Sequence, residues 1–413
     1  MKVGIITIGD ELLIGQTINT NASWIGQELT KNGLAIYRSV TIRDHRQDIL
    51  ESLGDLIHKA EIIIITGGLG PTKDDITKQT LCEFFNTKLL RNDMVLKRIN
   101  DYFESRGKKM LPSNETQADL PEDAIVLDNL LGTASGMWFE KGGSIVVSIP
   151  GVPYEMKAIM TNEVLPRIKA RFGDTSVYFQ TVMTQGIGES FLAEKIKDWE
   201  ERIYADGMGL AYLPSPGLVK LRITSSDGAK DAGKIKEYVD EIRDRLPEFV
   251  YGMNEESIFE VTGELLRQRN HTLCTVESCT GGGIANAFVQ KTGCSDFFNG
   301  GLITYCNDLK IKLAGVQTET LKKHGAVSEK TVTEMALGGK KKLGTDYAVA
   351  VSGIAGPTGG TVEKPVGLVW AAVAHPDGVR TERFLFGDDR GRNLLKTQLY
   401  AVNLLRRVIL SID

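Results

Sequence analysis

The chain predicts an α/β fold with two ligand sites, and three observations predict it. Short apolar runs alternate with amphipathic helical stretches, the run 61–65 is apolar almost throughout, and two glycine-rich turns each follow such a run. Continuous apolar runs suit strands buried on both faces, hence a parallel sheet with crossover helices. The turns are Thr66-Gly67-Gly68-Leu69-Gly70-Pro71-Thr72 and Ser278-Cys279-Thr280-Gly281-Gly282-Gly283. Glycines there remove the Cβ atoms that would keep backbone N–H groups from an anion, and a following helix adds the positive end of its dipole. Each turn is a candidate phosphate cradle.

The 413 residues exceed the roughly 100–200 of one domain, and the pattern divides them into 1–172, 173–252 and 253–413. Residues 3–8 read as a first strand and 21–32 as a helix stopped by Gly33. Residues 47–59 read as a helix with Ile49, Leu50, Leu53, Leu56 and Ile57 on one face, before the strand 61–65. A strand over 144–149 leads into the rigid turn Ile149-Pro150-Gly151-Val152-Pro153 and a helix from near Tyr154. Strand 177–184, helix 189–203, strands 208–213 and 218–224 and helix 230–246 make a small α+β connector. Beyond it come a helix 257–269, strands 272–276, 347–351 and 366–374, and a last helix 390–410.

A hydrophobic content of 42% with 25% charged residues fits a globular protein with real cores. The net charge of −4 gives no bulk attraction for nucleic acid. The connector's order resembles a KH fold, but Gly186-Ile187-Gly188-Glu189 is not the GxxG clamp of an RNA backbone, and 10 basic residues face 14 acidic ones over 173–250. A spacer or dimerisation role is the plainer reading, and a homodimer is expected. Five cysteines without CxxC spacing argue against disulfides and structural zinc and suit a reducing cytoplasm. No run approaches the about 20 apolar residues that cross a bilayer.

At the first site, Asp10, Glu11, Asn19 and Asn21 follow the first strand, and both loops belong at the carboxyl edge of the sheet, where ligands of open α/β sheets bind. Gly67, Gly68 and Gly70 would curl around a phosphate, with Thr66 and Thr72 as hydroxyl donors. Asp10, Glu11, Asp74 and Asp75 offer hard oxygen ligands for a divalent ion, with Mg, Mn, Co and Ni not distinguished. Asp75 also reads as a helix cap. At the second site, Ser278 and Cys279 are adjacent nucleophile candidates at a strand-to-helix turn, where a thiol pKa is lowered and a serine needs a base. The turn of Thr280, Gly281 and Gly282 offers N–H groups for an oxyanion. Lys310 is the candidate base, although composition alone makes it a solvated helix lysine. His324 reads as a helix C-terminal residue.

The motifs GDELLIG, TGGLGPTKDDIT and PGVPYEM resemble, in order, the amino-terminal domain of the competence/damage-inducible CinA family. TVESCTGGGIA, GGLITYCNDLK, HGAVSE, SGIAGPTGG and KPVG resemble its carboxy-terminal domain. The resemblance implies an amino-terminal molybdopterin-binding-like α/β domain, a small KH-like α+β connector and a carboxy-terminal CinA-type α/β domain. It further implies metal-dependent hydrolysis of ADP-ribose to AMP and ribose 5-phosphate by the first, or a pterin phosphate held by the same glycine loop without catalysis. For the last domain it implies deamidation of nicotinamide mononucleotide (NMN) to nicotinate mononucleotide and ammonia, without a cofactor, by a Ser278–Lys310 pair. Tyr305, expected as a third catalytic residue whose hydroxyl hydrogen-bonds to the Lys310 amine, Ser295, Ser352 with Gly353, and Arg390 match family positions near the substrate. Cys294 stands where a serine is common. Gly387-Asp388-Asp389-Arg390-Gly391-Arg392 departs from the family spacing, which leaves open whether Arg390 or Arg392 meets the ligand.

Overall fold

The computed structural model describes residues 1–72, 75–173, 178–225 and 228–412. They fall into two units, Met1–Tyr178 and Phe179–Ser225 with Lys230–Asp413. In the first, eight strands are β1 (Lys2–Ile8), β2 (Ala35–Ile42), β3 (Ile62–Thr66), β4 (Leu89–Arg91), β5 (Asp119–Pro121), β6 (Ile125–Leu127), β7 (Gly136–Lys141) and β8 (Ser144–Ile149). Six of them form a sheet of order β2-β1-β3-β8-β7-β6. β2, β1, β3 and β8 run parallel, with β7 and β6 added antiparallel. The all-buried Ile62–Thr66 sits between β1 and β8 with an apolar layer on each face, as its continuous apolar pattern requires. β2 went unread in the sequence because it is an edge strand with half its residues exposed, so no apolar run marks it.

The second unit holds nine strands: β9 (Tyr178–Gln185), β10 (Gly209–Ser215), β11 (Leu218–Ser225), β12 (Val250–Met253), β13 (Leu273–Glu277), β14 (Phe298–Ile303), β15 (Tyr347–Gly353), β16 (Leu368–His375) and β17 (Gly378–Leu385). The connector sheet has the order β10-β11-β9-β12. The expected helix 189–203 is two helices, Glu189–Lys195 and Lys197–Ala205, meeting at Ile196. The last sheet has the order β14-β13-β15-β16-β17, with β13, β14 and β15 parallel and their carboxyl ends on one edge. Helix Glu329–Leu343 covers the face lined by Ala348, Ala350, Ala372 and Ala374, and helix Arg390–Leu410 covers the other.

The connector and the last sheet are one unit because buried polar groups join them. Arg406 is buried and gives hydrogen bonds to the carbonyls of Pro247 (2.9 Å) and Glu248 (3.0 Å) and to Asn403 Oδ1 (2.9 Å). Burial lowers its pKa to about 10, so it keeps its charge at neutral pH. Among the described residues no helix is long and apolar enough to cross a membrane.

Candidate active sites

β13 ends at Glu277, and Ser278 follows, held by its N–H to the Val351 carbonyl of β15 (3.1 Å). Helix Asn307–Ala314, on the crossover that leaves β14, swings Lys310 under that turn. Lys310 is 1% exposed, and its Nζ lies 3.0 Å from Ser278 Oγ, 2.8 Å from the Thr304 carbonyl and 3.2 Å from the Tyr305 carbonyl. Burial lowers its pKa from the ordinary 10.5. A neutral amine has two N–H bonds and one lone pair. The two carbonyls can only accept, so they take the N–H bonds and leave the lone pair for the Ser278 hydroxyl proton. The solvated-lysine reading is thereby corrected: Lys310 is a buried amine aimed at a hydroxyl.

Cys279 differs from its neighbour. Burial raises its thiol pKa to about 11, more than its own amide and that of Thr280 can offset. It therefore stays protonated at neutral pH, and the lowering expected from the helix end does not appear. Glu277, which is 1% exposed, adds to that rise by its charge and also takes up the helix end. Its carboxylate accepts from the Thr280 hydroxyl (2.6 Å) and from the amides of Gly282 (3.1 Å), Ile284 (3.0 Å) and Ala285 (2.8 Å). The helix N-terminus is thus occupied by a side chain of the chain itself. The Gly281 amide goes to the Ser278 carbonyl. So this turn is not an open phosphate cradle, and of the expected oxyanion donors Gly281 and Gly282 are already taken.

The remaining expected residues of this site divide. Tyr305 is 61% exposed, and its contact with Lys310 is through the main-chain carbonyl, not the phenol. Ser352 is buried with its hydroxyl on the Ala326 carbonyl (2.7 Å), where it fastens the HGAVSE loop. Gly353 allows close packing, since a Cβ there would lie 2.6 Å from Val369. Arg390 reaches the Gly356 carbonyl (2.9 Å), whereas the Arg392 amide binds the capping carboxylate of Asp389. Ser295 lies before β14, near the amino end of strands whose carboxyl ends carry Ser278, so it is not brought to that serine within one chain. Asn393 was not singled out from the sequence. It is buried and donates to the Ala355 and Gly387 carbonyls, pinning the loop after β15.

In the first unit a cavity of about 380 Å³ lies at the carboxyl ends of β1, β3 and β8. Among the described residues its charged lining residues are Glu11, Asp44, Asp75 and Glu155, all acidic. Asp75 does not cap the helix Thr77–Phe85, whose N-cap is Ile76 with no side-chain hydrogen bond; it closes the glycine loop before that helix, accepting from the amides of Gly70 (2.8 Å) and Thr72 (2.9 Å) and from the Thr72 hydroxyl. Thr72 and Gly70 are therefore not free donors. Thr66 is buried and gives its proton to the Pro150 carbonyl (2.9 Å), while Asn21 Nδ2 binds the Gly151 carbonyl (2.7 Å) and Thr66 Oγ1 (3.3 Å). Gly67 is required by packing: at φ 118° a Cβ would stand 2.4 Å from the Ile8 carbonyl oxygen. A Cβ on Gly68 would meet Thr77 Oγ1. Asp10 is exposed and does not line the cavity, and Asp74 lies outside the described residues. Among the described residues no three acidic, histidine or cysteine side chains converge to hold an ion. The donor set still suits Mg²⁺, which is commonly held by one or two carboxylates together with substrate phosphates. Asp44 and Glu155 were missed. Asp44 follows β2, the strand the sequence hid, and Glu155 lies in the PGVPYEM motif on the helix expected from near Tyr154, where no acid was assigned a role.

The class of protein is set by these two features, a buried serine–lysine pair at one sheet edge and an acid-lined cavity beside a glycine loop at another. Residues 4–170 match the family described as "Probable molybdopterin binding domain", 180–252 the "Damage-inducible protein CinA KH domain", and 255–409 the "CinA C-terminal domain". A CinA-like protein of Cytophaga hutchinsonii is 43% identical, with 98% of this chain and 97% of that one covered. One of Flavobacterium psychrophilum is 40% identical over 100% and 99%. The crystal structure of the competence/damage inducible protein CihA of Agrobacterium tumefaciens is 38% identical and covers 37% of this chain and 96% of its own, with a TM-score of 0.36. The chain belongs to the CinA family, with the three-part fold that its motifs predict.

Proposed function

We propose that the protein is a bifunctional hydrolase of pyridine nucleotide recycling. The second unit deamidates NMN, and the first hydrolyses ADP-ribose with a divalent metal. The observation that carries the first activity is the 3.0 Å approach of buried Lys310 Nζ to Ser278 Oγ. Lys310 takes the hydroxyl proton as Oγ bonds to the carboxamide carbon, then returns it to the leaving nitrogen as the C–N bond breaks and ammonia departs. Water, deprotonated by the same amine, releases the acid from Ser278. The amides of Cys279 and Thr280 are the oxyanion donors left by the hydrogen bonding of the turn.

For the first unit, the four carboxylates that line the 380 Å³ cavity among the described residues support metal dependence, because they repel a diphosphate unless a cation accompanies it. A divalent ion supplies charge neutralisation and an activated water. Glu155, buried and held by Asn129 Nδ2 (2.5 Å), and Glu11 are the carboxylates we assign to that ion or its water. The test is incubation of the purified protein with NMN, and with ADP-ribose plus Mg²⁺ or Mn²⁺, with assay of ammonia and AMP. Tight molybdopterin binding without AMP formation would replace the first-unit assignment by a binding module.

A further inference from the structure

Beside the acid-lined cavity lies a second one of about 140 Å³, and the two share Ile8, Glu11 and Gly151. Two buried polar atoms on its wall have no partner among the described residues: Asn21 Oδ1, on a residue 8% exposed, and Thr7 Oγ1, on a residue 2% exposed. The orientation of the Asn21 amide is fixed. Its Nδ2 donates to the Gly151 carbonyl and to Thr66 Oγ1, whose own proton goes to Pro150, so a flipped amide would set oxygen against oxygen. Asn21 Oδ1 is therefore an acceptor that needs a donor, and Thr7 offers a hydroxyl that both gives and takes.

The charge of the cavity narrows the ligand. Among the described residues Glu11 is the one charged residue lining it, and these offer no cation to a phosphate or carboxylate. Its volume is that of about four to five waters, enough for a small neutral group rich in hydroxyls. We infer that this cavity is a subsite for the vicinal hydroxyls of the terminal sugar, the one across the diphosphate from the nucleoside, with Thr7 and Asn21 as its recognising side chains and the diphosphate lying in the adjoining acid-lined cavity. The inference rests on the reading of the first unit as a nucleoside-diphosphate-sugar hydrolase and adds which part of that substrate is recognised, and by what.

The test is calorimetric titration of the full-length protein in Mg²⁺ with the non-hydrolysed analogues α,β-methylene ADP and α,β-methylene ADP-ribose. The protein should bind the analogue that carries the terminal ribose about tenfold or more tighter, the range expected for buried hydrogen bonds made only with that second sugar. Thr7→Val should remove most of that preference while leaving the affinity for the ADP analogue unchanged, and Thr7→Ser, which keeps the hydroxyl, should restore it. Equal affinity for the two analogues, or an equal loss for both in Thr7→Val, would overturn the subsite while leaving the diphosphate site standing. Binding of neither analogue would overturn the first-unit function and the subsite together.

Discussion

Ser278 and Lys310 illustrate what a residue can and cannot disclose in sequence. The two lie 32 positions apart, and only the crossover after β14 brings amine to hydroxyl. The motif resemblance named the pair, while composition pointed to a solvated lysine, because burial of one side chain leaves no mark on its own letter. Ser278→Ala and Lys310→Met should each abolish ammonia release from NMN, and Cys279→Ala should keep most of it. Since burial lowers the Lys310 pKa, release should climb with pH as the amine loses its proton and then level off. The sign for stability follows. Between the lowered value and the ordinary 10.5 the unfolded chain binds more protons, so the cost of burying Lys310 is full below that window and fades as pH rises through it. Lys310→Met should lose that rise, measured by denaturant unfolding at several pH values. Iodoacetamide should reach exposed Cys306 well before Cys279, buried with a pKa near 11, as peptide mapping would show.

At the scale of elements, buried strands were legible and edges were not. Residues 61–65 and 144–149 are legible because both faces of β3 and β8 are covered, whereas half of β2 is exposed and β17 is mostly half-buried, so neither shows a continuous apolar run. The glycine turns were located correctly and interpreted too simply. Their glycines relieve packing, and their amides answer to Glu277 and Asp75, acids whose partners only the folded turn reveals. Glu277→Ala removes a buried carboxylate with four donors. It should destabilise the second unit by at least about 2 kcal/mol and open the turn, read as a lower unfolding midpoint together with faster alkylation of Cys279.

At the scale of the whole molecule, three sequence stretches fold as two units, because Arg406 draws the connector onto the last helix. A fragment beginning near residue 179 should retain ammonia release. One beginning near 253 leaves Arg406 without its carbonyl partners at Pro247 and Glu248, at a cost of roughly 1–3 kcal/mol for the unmet donors, and should melt several degrees lower. Chelation offers the complementary separation. Removing divalent ions should stop AMP formation and leave ammonia release intact, and Glu155→Gln should slow the former at least about tenfold, equivalent to ~1.4 kcal/mol of barrier.

Ser278 exposes only 7% of its surface at the end of β13. A nucleophile so recessed acts as a sieve on the shape of its acyl group. A primary carboxamide carries its substituent on one side and loses nothing larger than ammonia, while a peptide bond would have to bring a chain on both sides up to a serine so covered. The serine–lysine pair should therefore leave proteins and secondary amides uncut, however readily it opens a terminal amide.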